Sequence, residues 1–321
     1  MTWLTWRQHR PQILITAALL GVLGLLLLGS AVEARLYVAG HAPPGCPGPG
    51  PACGDLAAAL DDRYDAVYTI FGWMPLLAPA LIGAFWGAPL LGREYEHGTH
   101  KLAWTQSVSV RRWLTVKLVM LGALAAGAGL LLSAMVSLWR PALSRHDVFG
   151  NIGTFNMVGV APAAWWLYAF TLGAAAGALL RRTLPAMAVV VAGIAVTMPL
   201  LFTLSDHYAP PVRTVLSELS DTVARAGPDG RLVGEAWIDP SGRELAGPPS
   251  GVCPRLPDAP SSDRNEQAFE RCLLGKGYRF AVYFHPPSRF WRFQWSEAAI
   301  LAAASLTLAG LTVRRTLRRT A

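Results

Sequence analysis

The chain has 321 residues, 53% of them apolar and 15% charged, with a mean hydropathy of +0.35 and a formal net charge of +8. That composition excludes an ordinary soluble domain, where about 25% of residues are charged. Six runs have the roughly 20 apolar residues that cross a bilayer core: Gln12–Val32, Ile70–Gly92, Leu118–Trp139, Val158–Leu180, Leu184–Ser205 and Phe293–Val313. The expected fold class is therefore an all-α integral membrane protein with six transmembrane helices.

In chain order, residues 1–11 place Trp3, Leu4 and Trp6 beside Arg7, His9 and Arg10. Aromatic and basic residues ahead of a span suit an interfacial helix, or a plain aromatic anchor with positive flanks. Residues 12–205 hold the first five spans. The first exceeds the roughly 7–15 apolar residues of a signal peptide, so it is expected to be retained. Between spans one and two, the stretch Pro43–Pro51 is too rich in Pro and Gly for regular structure, whereas Leu56–Tyr68 reads as helix. Pro75, Pro79 and Pro89 each remove a backbone donor, so span two is expected to bend. Span three carries Gly122, Gly127 and Gly129, and span four the sequence Gly173-Ala-Ala-Ala-Gly177. Small residues four apart let helices approach closely; packing within the chain is the default reading and a dimer face the alternative.

Residues 206–288 read as a small α+β domain. Turn signals flank a strand at Arg231–Asp239, Ser262 stands ahead of a helix at Asp263–Leu274, and Tyr278, Phe280, Val282 and Phe284 alternate as in a second strand. So small a core calls for a covalent staple. Residues 289–321 carry an aromatic belt, the sixth span and a basic tail.

Lys and Arg set the orientation. Arg7, Arg10, Arg93, Lys101, Arg111, Arg112, Lys117, Arg181, Arg182, Arg314, Arg315, Arg318 and Arg319 fall on one side, against Arg35, Arg63, Arg140 and Arg145 in the short loops opposite. Both termini are therefore expected in the cytoplasm, and the charge bias needs no nucleic-acid partner. All four cysteines fall on the outside: Cys46 and Cys53 in the first loop, Cys253 and Cys272 in the last. Even pairs in an oxidising space suggest two local disulfides. A zinc site lacks the Cys-x-x-Cys or His spacing to support it.

The spans hold almost no ionisable residues; Glu33 and Glu297 come closest, near the outer interface. This argues against a proton- or sodium-coupled carrier, and equally against an intramembrane enzyme. Gly275-Lys276-Gly277 has neither the spacing nor the hydroxyl of a phosphate-binding loop, so any ATPase must be another chain. Glu94, His97 and His100 stand three apart, but Gly98 interrupts them and no HExxH is present. No catalytic residue, cofactor or metal site is expected.

What remains is Arg93–Lys117, a polar, basic segment between two apolar spans. Glu94 and Glu96 precede Gly98-Thr99, where the glycine can break a helix; Leu102, Ala103 and Trp104 form a short apolar cluster; Ser109 can cap the next helix. A short helix at Thr99–Gln106 is expected, too short to be stable unless something packs on it. The segment resembles the coupling region of type-2 ABC transporter permeases. The resemblance rests on Arg93, Glu94, Glu96, Gly98, Thr99, Leu102, Ser109, Arg111, Trp113 and Lys117, within the six-span layout. Lys101 stands where many relatives carry an acid, and the usual Pro before the Ser-Arg step is missing. The resemblance implies a cytoplasmic coupling helix, a paired permease or homodimer in the lipid bilayer, and a separate ABC ATPase subunit that engages Glu94, Glu96, Gly98, Thr99, Leu102, Trp104 and Arg111. It further implies export, and an apolar pathway almost without charges suits an amphipathic small molecule, lipid or peptide as the substrate. The alternative is a membrane-anchored sensing or binding protein that acts through its ectodomain.

Overall fold

The structure, a computed structural model, describes residues 2–43, 46, 53–98, 109–140, 148–216, 230–245, 247–253 and 263–318. In chain order the elements are α1 (Thr2–His41), α2 (Gly54–Ile82), a π-turn (Gly83–Gly87), α3 (Ala88–Glu96), α4 (Val110–Trp139), the short α5 (Ile152–Phe155), α6 (Ala161–Leu180) and α7 (Thr183–Ser205). There follow β1 (Val212–Leu216), β2 (Arg231–Ile238), β3 (Glu244–Leu245), α8 (Asp263–Gly275), β4 (Arg279–His285), a 3-10 turn (Pro287–Arg289) and α9 (Phe290–Leu317). The expected coupling helix at Thr99–Gln106 lies outside the described residues, as does Ser262.

Two compact units form. The first holds six helices long and apolar enough to cross a membrane: Thr5–His41, Ala58–Glu96, Val110–Trp139, Ala161–Leu180, Thr183–Ser205 and Pro287–Leu317. Four of these reach well past the apolar runs that mark them, because helix continues into the flanking polar residues. α1 in particular passes straight through Pro11. Proline costs one backbone bond inside a helix, and here the helix continues around it.

At the centre of this unit is α6. Its Trp165, Ala169, Phe170 and Ala174 are at most 1% exposed, and it packs on α4, on α7 and on the rod formed by α2, the π-turn and α3. Glycine makes the last contact possible. A Cβ on Gly83 would lie 2.5 Å from the Ala169 carbonyl oxygen, and one on Gly177 would lie 2.5 Å from that of Ala88. Cβ atoms on Gly87 and Gly173 would overlap the Phe170 and Gly83 carbonyls. The Gly173/Gly177 pair thus packs within the chain. Where prolines led to the expectation of a bend, the backbone irregularity is the π-turn itself, four residues after Pro79 and closed by the Ala88 N–H donating to the Gly83 carbonyl. α9 is tied in by Gln294: its Oε1 accepts from the Val160 and Ala161 N–H groups at 3.1 and 2.9 Å, and its Nε2 donates to the Phe155 carbonyl at 2.8 Å. These first-turn amides of α6 would otherwise lack partners. Glu297, 2% exposed, accepts from Trp165 Nε1 at 2.7 Å.

The second unit, Asp147–Asn151 with Asp206–Phe290, holds an antiparallel sheet of order β1-β4-β2-β3. Leu216, Trp237, Leu273, Phe280, Val282 and Phe284 form its core, with Cys253 and its disulfide partner Cys272 packed against them. The other disulfide joins Cys46 to Cys53, and no described cysteine is free. β2, β4 and α8 match the expected elements to within a residue or two. β1 and β3 were not anticipated; five and two residues are too short for an alternation to stand out, and both borrow their order from the longer strands beside them.

His285 is fully buried beside a charged cluster. Arg231 pairs with Asp206 at 2.8 Å, and Arg289 Nη1 donates both to the Pro210 carbonyl at 2.6 Å and to His285 Nδ1 at 3.1 Å. A guanidinium only donates. His285 Nδ1 must therefore keep its lone pair, leaving Nε2–H to face the Asp206 carbonyl at 3.3 Å. Burial above all, and then the Arg289 and Arg231 cations, hold the imidazole below the usual histidine range, against the raising pull of the Asp206 carbonyl and carboxylate.

Two outcomes follow. Gly173→Ala should lower the thermal midpoint of the full chain in micelles by the equivalent of about 1–3 kcal/mol, whereas Gly127→Ala, whose Cβ meets nothing within 4 Å, should not; equal effects would refute backbone contact at Gly173. In the second unit, the folded form of His285 resists protonation that the unfolded chain accepts near pH ~6.5. The contribution to stability is complete above that pH and is lost as pH falls through the lowered folded value. Protection factors of β4 amides, which correct for the intrinsic pH dependence of exchange, should fall on acidification, and His285→Gln should flatten that response.

Candidate functional site

α3 ends ahead of the expected coupling helix at Thr99–Gln106, and α4 begins after it. At the end of α3, His97 is the cap residue and Gly98 turns left-handed, φ +67°, a conformation glycine adopts without steric cost. On the far side Ser109 is extended and its Oγ accepts from the Arg112 N–H at 3.4 Å, starting α4. Of the residues that the sequence assigned to partner coupling, Glu94, Glu96, Gly98 and Arg111 are described; Thr99, Leu102 and Trp104 lie outside the described residues.

The two carboxylates diverge. Glu94 Oε1 accepts from Lys117 Nζ at 2.5 Å, with side chains 12% and 3% exposed. That pair joins α3 to α4, and Lys117 also lies over the Trp113 ring, 4.2 Å from its centroid. Glu96 turns the other way. Its Oε1 accepts from the Thr183 N–H at 2.9 Å and its Oε2 from the Thr183 hydroxyl at 2.7 Å, joining α3 to the start of α7. An acid at a helix N-terminus satisfies an orphan donor and complements the helix dipole. Beside it, Gly92 backs onto Thr183, and Arg181 lies over the Tyr95 ring at 5.6 Å while closing α6 in the left-handed region. Arg111 is exposed on the first turn of α4.

The resemblance groups Glu94 and Glu96 in one coupling motif, and the structure gives the two carboxylates different intrachain partners. Thr183 escaped notice and Arg181 was counted only for its charge, although Arg-Thr-Leu-Pro is readable as a helix start with Pro in its first turn. His97 Nδ1 contacts the Arg93 carbonyl at 2.9 Å, and among the described residues no group of three His, Cys, Asp or Glu side chains could hold a metal ion. The arrangement is a frame in which α3 is fastened to α4 on one side and to α7 on the other.

The sequence model of a family described as "ABC-2 membrane transporter related" matches residues 16–204. No curated protein and no solved structure matches the chain.

Removing one member of a buried ion pair costs about 3–5 kcal/mol, because a charge is left without its counter-ion. Lys117→Met should therefore destabilise the full chain strongly in thermal unfolding, and adding Glu94→Gln should restore most of the loss. A double variant no better than the single would show that the two groups are not coupled.

Proposed function

Since the chain belongs to the ABC-2 membrane transporter related family, we propose that it is the permease subunit of an ATP-driven exporter. A multi-pass membrane protein with six apolar helices supplies the pathway. A separate ABC ATPase docks on the coupling segment, with Thr99–Gln106 at its centre, and two permease copies or a paired permease complete the transporter. The domain layout follows the chain: 1–11 at the interface, 12–205 with the coupling loop at 93–117, 206–288 outside, and 289–321 ending in a basic cytoplasmic tail. The Lys and Arg bias supports this orientation, with both termini in the cytoplasm. A pathway almost without charge suits an amphipathic small molecule, lipid or peptide.

The observation that carries the reading is the frame at the base of the segment. Because α3 is pinned to α4 through Glu94–Lys117 and to α7 through Glu96–Thr183, a push on this segment acts on three helices at once. The apolar residues available for a partner are Leu102, Ala103 and Trp104. Trp is a frequent interface anchor, and truncating an anchor costs about 2 kcal/mol or more.

Trp104→Ala should accordingly weaken capture of the ATPase by roughly thirtyfold while leaving membrane insertion intact. Gly98→Val should act at the same place, since a β-branched residue resists φ > 0. Pull-down by correctly inserted variants is the test; wild-type capture by both would remove coupling from this stretch.

A further inference from the structure

Two cavities in the first unit meet at Gln12. One, of about 420 Å³, is polar and is lined by Gln8, His9, Gln12, Arg93, Glu94 and His97 with two apolar neighbours. The other, of about 620 Å³, is apolar apart from Gln12 and Thr16 and runs between α1 and the α2/π-turn rod. Gln12 is fixed at the junction. Its Nε2 donates to the Phe85 carbonyl at 2.9 Å and its Oε1 faces His9 Nδ1 at 2.8 Å.

The polar end has the wrong balance for an empty surface dent. A carboxamide oxygen only accepts, so His9 Nδ1 carries the proton there and Nε2 is left to find another partner. His9 is 7% exposed, and its Nε2 has no partner among the described residues. Leaving a buried polar atom unpaired costs about 1–3 kcal/mol, which a ligand hydroxyl, donating to Nε2, would recover. Charge points the same way. Glu94 is matched by Lys117 at 2.5 Å, so the exposed Arg93 dominates the pocket.

The apolar end has the length of a lipid tail. From Gln12 to Leu23 it follows α1 for about 16 Å at 1.5 Å per residue, close to one leaflet, half of a core roughly 30 Å thick. Its floor is buried, with Leu20, Ile82 and Trp86 at 5–8% exposure, while its rim of Ile15, Leu19, Leu81 and Phe85 is more than half exposed. The groove exists because α1 rests on α4, where Gly24 admits the Met135 methyl, and reaches α2 only sparingly.

We propose that the joined cavities are one site for an anionic phospholipid, its phosphodiester against Arg93, a headgroup hydroxyl against His9 and one acyl chain along the groove. Phosphatidylglycerol has the matching groups: an anionic oxygen for the guanidinium and a hydroxyl for His9 Nε2.

Native mass spectrometry of the full chain, titrated with dioleoylphosphatidylglycerol or dioleoylphosphatidylcholine, tests this without any second subunit. The wild type should hold the anionic lipid about tenfold more tightly, the scale of one charge-assisted contact. Arg93→Gln, a surface change, should abolish the preference, and so should His9→Leu. Ala78→Phe, which fills the groove, should weaken both lipids. Glycerol 1-phosphate should not compete. Equal retention of the two lipids by the wild type, a preference that survives Arg93→Gln, undiminished binding by Ala78→Phe, or displacement by glycerol 1-phosphate would each overturn the proposal. The last would point to a free-anion site, and the third to lipid held only at the protein surface.

Discussion

Backbone-to-backbone contact between α6 and the rod of α2, π-turn and α3 is what the rest of the membrane unit depends on. In a bilayer, lipid tails solvate Leu as well as another helix does, so side-chain burial supplies little net drive for association. Close approach does, through dispersion and backbone polarity. Gly83, Gly87, Gly173 and Gly177 remove the Cβ atoms that would stand between the carbonyls, and the two helices interlock along them. With α6 held there, α4 can pack through Gly129 against the Pro162 carbonyl, and α7 can set Val190 beside Gly83.

The π-turn belongs to the same constraint. A wider turn, with bonds five residues apart, shifts the helical register by a fraction of a turn. In the rod it sits between Gly83 and Gly87, so that both glycines meet α6 while Phe85 between them remains exposed. Downstream of it, α3 delivers Glu94 to α4 and Glu96 to α7. Residues two apart on a helix point in different directions, and here each direction has its own receiving helix.

Much of this was legible in advance, and the misses have physical causes. The six spans follow from hydropathy, the disulfides from even cysteine pairs with short separations, and close packing of α6 from Gly173 and Gly177. The π-turn was not legible, because Gly-Ala-Phe-Trp-Gly is as apolar as ordinary span sequence and a fifth-residue bond leaves no periodic trace in so short a piece. Prolines drew attention to Pro75, Pro79 and Pro89 instead. β1 and β3 were missed because edge strands of five and two residues depend on β4 and β2 for their order. At the candidate site the residues were visible but their partners were not: nothing local in Glu94 or Glu96 says that Lys117 and Thr183, 23 and 87 positions away, will be adjacent.

The hydroxyls of α1 bear on how the chain is made. Ser30 Oγ accepts from Trp139 Nε1 at 2.9 Å and donates to the Leu27 carbonyl at 3.0 Å, and Thr16 Oγ1 accepts from Trp86 Nε1 at 3.2 Å. During synthesis α1 emerges first, long before Trp86 or Trp139 exists. Ser30 can satisfy its proton on its own helix at that stage, so its hydroxyl is not a donor stranded in hydrocarbon. It keeps an acceptor lone pair in reserve for the indole that arrives with the third span. Insertion and docking are thereby separated in time, and the nascent helix needs no escort to wait for its neighbours.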